Sequence, residues 1–175
     1  MKIINDLSFF KTNTITLAQN LIGKWIETNI NEKKQLAQIS ETEAYLGVED
    51  SACHTYKGKR TSRNDPMWQE GGTIYIYLCY GLHNLLNIVS KEKGQPEAVL
   101  IRALTSANGP AKATKLLNIN KSLNGQSIIN NPQISILDDE KVYHFKTAKR
   151  VGIDYALEND KNAMLRFILC KNKEK

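Results

Sequence analysis

The chain has 175 residues, 41% of them hydrophobic, which suits one domain able to bury about 70% of its unfolded surface. A net charge of +6 favours polyanions such as nucleic acid or an anionic membrane, although a merely soluble basic protein has the same balance. Cys53, Cys79 and Cys170 lack the number and spacing of a disulfide framework, and no run approaches the roughly 18 apolar residues of a membrane helix. The opening Met1-Lys-Ile-Ile-Asn-Asp6 has no secretory pattern, so the expected setting is the cytoplasm, with no membrane partner.

A first helix is expected over residues 12–23. Thr12 or Asn13 caps it, Leu17, Leu21 and Ile22 form its apolar stripe, and Gly23 stops it. Residues 24–30 and 35–45 then read as two strands joined by the polar turn 31–34. Strict alternation in the second strand puts Ala37, Ile39, Glu41, Glu43 and Tyr45 on one face. Two carboxylates on a face that begins with Ala and Ile are out of place in a purely structural strand.

Residues 47–72 have little periodicity and many polar groups, and irregular loops of that length are usually functional or disordered. Residues 73–80 carry the clearest strand pattern, with Ile74, Ile76 and Leu78 alternating against Tyr75, Tyr77 and Cys79 until Gly81 breaks it. Residues 82–90 and 98–105 continue as strands, and Asn108-Gly-Pro110 opens a short helix through Leu117. Residues 118–140, rich in Asn and Ser, read as a solvated loop. Residues 163–170 read as a closing strand, and Lys171 to Lys175 as a frayed tail. With no repeat or linker, the expected architecture is α+β. It is a single compact domain over residues 1–175, with a mixed, mostly antiparallel sheet and flanking helices.

The chemistry concentrates between residues 43 and 80. Tyr45, Tyr56, Tyr75, Tyr77 and Tyr80 all fall there, together with Glu43 and His54. Glu43 and Tyr45, two apart on a strand face, set a carboxylate beside an aromatic plane; an exposed edge glutamate is the plainer reading. His54 suits a switchable or stacking group, or an ordinary hydrogen-bonded loop residue. A metal site from Cys53, His54, Cys79 and His83 lacks the usual ligand spacing. Tyr75 and Tyr77 fit core or cross-strand pairs, whereas Tyr80, next to Gly81, puts a large ring at an exposed turn as a wedge. Lys57, Lys59, Arg60 and Arg63 form either a phosphate-gripping loop or a solvated charge run. Arg102, mid-strand among apolar residues, needs a carboxylate partner, and Glu43 is the obvious candidate. Gripping a backbone, wedging a stack, clamping a ring and presenting an activated water are the tasks of an enzyme that extrudes a base. Hydrolysis and deamination both fit, except that the zinc ligands of a deaminase are missing.

Several segments resemble the alkyladenine (3-methyladenine) DNA glycosylases over residues 8–169. They are Glu41-Thr-Glu-Ala-Tyr-Leu-Gly47, Glu49-Asp50, His54, Thr61-Ser-Arg-Asn64, Tyr75-x-Tyr-x-x-Tyr-Gly81, Asn87 and Leu100-Ile-Arg-Ala-Leu104. Gly109-Pro110, Ile119-Asn-Lys-Ser122 and Arg150-Val-Gly-Ile153 also fit. The resemblance implies that family's fold, distinct from helix-hairpin-helix glycosylases, and a monomer that needs no metal or cofactor. The implied reaction releases alkylated purines from double-stranded DNA by hydrolysing the N-glycosidic bond, the start of base excision repair. Implied substrates are 3-methyladenine, 7-methylguanine and hypoxanthine.

On matching positions, Glu43 is the catalytic base that activates water and Arg102 helps to hold that water. Tyr45, His54 and Tyr77 sandwich the flipped base, and Asn87 screens bases at the guanine amino group. Tyr80 fills the vacated gap; the basic loop of Lys57, Lys59, Arg60 and Arg63, read from its charge and not from the resemblance, is the expected DNA contact. Arg102 is expected to keep the Glu43 pKa low. Ser62 stands where the family often has Pro, Asn84 where an aromatic is common, and residues 118–140 match poorly.

Overall fold

Asn31 and Glu32, both with left-handed backbone (φ 52° and 61°), close the first hairpin as a two-residue turn. The computed structural model describes residues 1–170, so the frayed tail expected at Lys171 to Lys175 lies outside the described residues. In chain order the elements begin with β1 (Lys2–Ile3), α1 (Leu7–Phe10), α2 (Thr14–Asn20), β2 (Trp25–Ile30) and β3 (Lys33–Tyr45). Next come β4 (Ile74–Cys79), β5 (His83–Ser90), β6 (Glu97–Leu104) and α3 (Pro110–Leu116). The last are β7 (Ile134–Asp138), β8 (Phe145–Ala148), α4 (Glu158–Asn162) and β9 (Arg166–Leu169).

The strands pair antiparallel in the order β1-β7-β2-β3-β6-β5-β4, with β9 on β3 and β8 on β9. The α+β expectation of one compact domain is met. At 13 residues, β3 pairs with β2 through its first half and with β6 and β9 through its second. That shared strand curls the sheet around the main core. Asn13 caps α2 as expected, its side chain accepting from the Ile15 and Thr16 amides. Leu17, Ala18 and Leu21 of α2 are buried, and Thr42 of β3 donates to the Ala18 carbonyl at 2.8 Å, seating the helix on the sheet. Each such Leu or Ile contributes about 1.5–3 kcal/mol through burial. Gly23 ends the helical segment at φ 82°, where a Cβ would strike the Tyr143 ring.

One irregularity corrects the face assignment in β3. Ile39 pairs with Leu104, Glu41 with Ala103 and Thr42 with Ile101, so Ser40 and then Arg102 drop out of register. The core face passes from Ala37 and Ile39 to Thr42 and Ala44. Glu43 and Tyr45 therefore do not share the Ala37–Ile39 face, and the misplaced carboxylates of the strict alternation are explained. Offset pairing turns them to the other side of the sheet.

Residues 118–140 also differ from expectation. They contain β7, whose Ile134, Ile136 and Leu137 are buried between β1 and β2. The Asn-rich flanks hid a five-residue apolar strand. The short elements α1, β1, β8 and α4 carry no periodicity that length allows to be read. Residues 47–72 hold three 3-10 turns (Gly47–Glu49, Tyr56–Gly58, Asp65–Trp68) and otherwise the expected irregular loop. Among the described residues no helix is long and apolar enough to cross a membrane.

Candidate active site

Beyond the irregularity in β3, Glu43 is 0% exposed. Its Oε2 accepts from the Tyr45 hydroxyl at 2.8 Å and its Oε1 from the Val151 amide at 3.0 Å. Arg102 Nε lies 3.3 Å from Glu43 Oε1 and 3.7 Å from Glu41 Oε2, and its N–H is buried without a hydrogen-bond acceptor. Arg102 thus has the carboxylate neighbour expected for it, shared with Glu41, which also pairs with Arg166 at 3.2 Å. Burial raises the Glu43 carboxyl above the ordinary glutamate value, against the lowering effects of Tyr45, Arg102 and the Val151 amide. The expectation that Arg102 would keep this pKa low is therefore overturned. Desolvating the whole carboxylate outweighs one imperfectly aligned guanidinium.

A cavity of about 220 Å³ opens beside this group. Tyr45, His54, Tyr75, Tyr77, Asn87 and Arg102 line it. Glu43 itself stands behind the wall, one side chain deep, with Tyr45, Arg102 and Val151 between it and the space. Alternation in β4 sends Ile74 and Ile76 into the core and Tyr75 and Tyr77 to the cavity. His54 stands edge-on to Tyr77, with ring centroids 4.6 Å apart, and shares a hydrogen bond between Nδ1 and the Tyr75 hydroxyl at 2.9 Å. Burial, aided by Arg63 and Lys59, lowers the His54 pKa to about 4. His54 is therefore neutral near pH 7, and a switch at physiological pH is removed from its possible roles. Burial also raises the phenols of Tyr45 and Tyr77, so the aromatic wall is uncharged. Buried Asn87 is held by its Nδ2, which donates to the carbonyls of Tyr75 and Leu85 at 3.3 Å and 3.4 Å.

Tyr80 sits at the cavity mouth, 93% exposed and with φ at 50°, followed by Gly81 at φ 70°. A bare ring on a left-handed non-glycine residue is strained and offered to solvent, as the wedge reading requires. The basic loop is less uniform than its sequence suggests. Lys57 and Lys59 are exposed, whereas Arg60 pairs with Asp65 at 2.7 Å and Arg63 donates to the Leu78 carbonyl at 3.1 Å over the Tyr77 ring. Asn64 pins the loop by donating to the carbonyls of His54 and Lys59.

Sequence reasoning gave no role to Asp50, Arg150, Val151 or Tyr155. Arg150 and Asp50 form a buried ion pair, and Tyr155 lines the mouth while donating to the Ala52 carbonyl at 2.8 Å. The segment Arg150-Val-Gly-Ile153 was visible only as part of a resemblance, because a backbone amide leaves no mark in side-chain patterns. Among the described residues, no three His, Cys, Asp or Glu side chains gather where a metal ion could be held. The Cys53, His54, Cys79 and His83 arrangement does not assemble.

A family model described as methylpurine-DNA glycosylase matches residues 8–173. A protein of Borrelia garinii is 39% identical over 180 residues, spanning 96% of this chain and 97% of its own. One from Natranaerobius thermophilus is 37% identical, over 95% and 96% of the two chains. One from Clostridium novyi is 36% identical, over 99% and 98%. All three carry the provisional name 3-methyladenine DNA glycosylase.

Proposed function

The chain belongs to the methylpurine-DNA glycosylase family, and from that premise we propose how it releases alkylated bases from DNA. It is a hydrolase of N-glycosidic bonds. Its substrate is double-stranded DNA carrying 3-methyladenine, with 7-methylguanine and hypoxanthine as further bases, and the product enters base excision repair. Residues 1–175 act as one monomeric glycosylase domain in the cytoplasm. The observation that carries this reading is a sealed carboxylate directly behind an uncharged aromatic cavity.

In this reading the damaged nucleotide leaves the duplex, Tyr80 fills the gap, and Lys57, Lys59, Arg60 and Arg63 hold the backbone. Tyr45, His54 and Tyr77 enclose the base, while Asn87, fixed by its carbonyl partners, crowds the guanine amino group, so that 7-methylguanine is held less well than 3-methyladenine. A purine alkylated at N3 or N7 is cationic, so the aromatic faces attract it by about 0.5–2 kcal/mol. A neutral His54 leaves that attraction unopposed. The N-glycosidic bond breaks with its electron pair going to the purine: a base alkylated at N3 or N7 leaves neutral, whereas hypoxanthine takes up a proton from solvent as it departs. The sugar develops oxocarbenium character, which the Glu43 carboxylate stabilises. The attacking water is held at the cavity wall formed by Tyr45, Arg102 and Val151, directly in front of Glu43. Glu43 takes its proton as the oxygen bonds to C1′, and Arg102 orients it.

The test is base release from duplexes that each carry 3-methyladenine, 7-methylguanine or hypoxanthine. Release is expected from all three, fastest for the cationic bases, because neutral hypoxanthine departs without a positive charge to relieve. DNA binding with no release from any of them would favour a non-catalytic binding module instead.

A further inference from the structure

The Asp50–Arg150 pair is the most deeply buried charge cluster outside the groups given roles above. Arg150 is 5% and Asp50 is 3% exposed. Arg150 Nη1 and Nη2 lie 2.5 Å and 2.9 Å from the two carboxylate oxygens, a forked pairing. Nη1 also donates to the Ala44 carbonyl at 3.0 Å, between Glu43 and Tyr45 in the chain. Nη2 reaches the Asp160 carbonyl on α4 at 3.3 Å. The guanidinium carbon lies 4.8 Å from the Tyr45 ring centroid. Asp50 in turn accepts from the amides of Leu46 and Ala52, fixing the turn that leads to His54.

We propose that Asp50 and Arg150 are positioning residues for Glu43. They hold the neighbouring Val151 amide on the carboxylate and set the Tyr45 ring at the cavity wall. This inference rests on the reading of Glu43 as the base. Buried pairs add little net stability beside an apolar pair of similar volume, so stability alone does not account for this one. What it supplies is direction. One rigid guanidinium fixes the strand, the turn, α4 and the ring together, and its chain neighbour delivers the amide.

Charged and titratable groups reach Glu43 from several elements. They are Tyr45 on β3, Arg102 on β6, Arg166 on β9, Tyr77 on β4, and Arg150 and Tyr155 from the segment before α4. Both hydrogen bonds to the carboxylate depend on the placement of Arg150, that from Tyr45 through the ring it packs on and, more directly, that from its chain neighbour, the Val151 amide. Losing that amide removes one of the influences that lower the Glu43 pKa.

The decisive experiment is the pH profile of single-turnover base release by Asp50→Leu/Arg150→Met, which removes both charges together, and by Arg150→Lys, which keeps charge but loses the fork. The double variant is expected to lose roughly 10- to 100-fold of its plateau rate through misplacement of the reacting groups. Its acid limb is expected to move up by about half a unit to one unit. Arg150→Lys should move the limb in the same direction, and decides the question if the double variant does not fold. DNA affinity should stay unchanged, because both side chains are buried. An acid limb that overlays the parent's in a folded variant overturns the inference, whether or not the plateau falls. Glu43→Gln is run beside them. If it released base at the parent rate, the reading of Glu43 itself would fall; if it is inactive while the limb stays put, only the positioning role falls.

Discussion

Glu43 combines a proposed need for ionisation with surroundings that resist it. Burial lifts its pKa above the ordinary glutamate value of 4.5, so the acid limb of base release is expected to have its midpoint above that value. His54 titrates lower, at about 4, and so does not define that limb. Single-turnover rates across pH check this, and a midpoint at or below an ordinary glutamate contradicts it. The same shift has a stability consequence. A carboxyl with a raised folded-state pKa adds stability below the unfolded value and loses it as pH rises through the folded value. At neutral pH, ionised Glu43 therefore works against folding. Gln fits the same place, its oxygen accepting from Val151 and its amide donating to the Tyr45 oxygen, so Glu43→Gln should melt higher than the parent at pH 7. The advantage should shrink on acidification. Thermal melts at several pH values test the sign. The residue types at this site were legible because a carboxylate, a histidine and clustered tyrosines are conspicuous in sequence. The direction of the Glu43 shift was not, because it depends on depth of burial and on a backbone amide from residue 151.

At the scale of elements, β3 and the β4–β5 hairpin do the positioning. The hairpin alternation was readable from Ile74, Ile76, Tyr75 and Tyr77, and the structure puts the isoleucines in the core and the tyrosines on the cavity side. The pairing irregularity at Ser40 and Arg102 was not readable, since nothing in single-strand periodicity marks where two strands slip past one another. It is nevertheless what faces Glu43 toward the cavity and the Thr42–Ala44 face toward α2. β7 was lost for a different reason: five residues among Asn-rich turns are too few to outweigh composition. The hairpin tip gives a separable prediction. Tyr80 holds a left-handed backbone with no packing to repay it, so Tyr80→Gly should fold at least as stably as the parent. It should nevertheless lose about 1–3 kcal/mol of retention of the extruded base, the scale of one base–aromatic stack. Binding to damaged and undamaged duplex at one salt concentration checks this, and equal losses on both contradict a wedge.

Across the whole molecule, the +6 charge was read as a preference for polyanions, and family membership makes DNA the polyanion. The structure divides that charge unequally. Lys57 and Lys59 are exposed beside the cavity, while Arg60 is matched by Asp65. Removing either lysine should flatten the salt dependence of DNA binding by about 0.9 in log–log slope, the signature of one lost phosphate contact. Arg60→Ala should change the slope less, because the charge it removes is already balanced. Equal changes for all three would mean that the Arg60 pair opens on DNA. The fold serves one arrangement: a curled sheet with a carboxylate on its shared strand, a tyrosine-lined cavity in front and an exposed ring at the mouth. That arrangement is tested most directly by single-turnover release of 3-methyladenine from duplex DNA by Glu43→Gln, with binding measured on the same DNA. The expected result is undiminished binding with release reduced at least 1,000-fold, the order expected when a general base and its charge stabilisation are both removed. Release at the parent rate by a variant that binds normally would contradict the role given to Glu43.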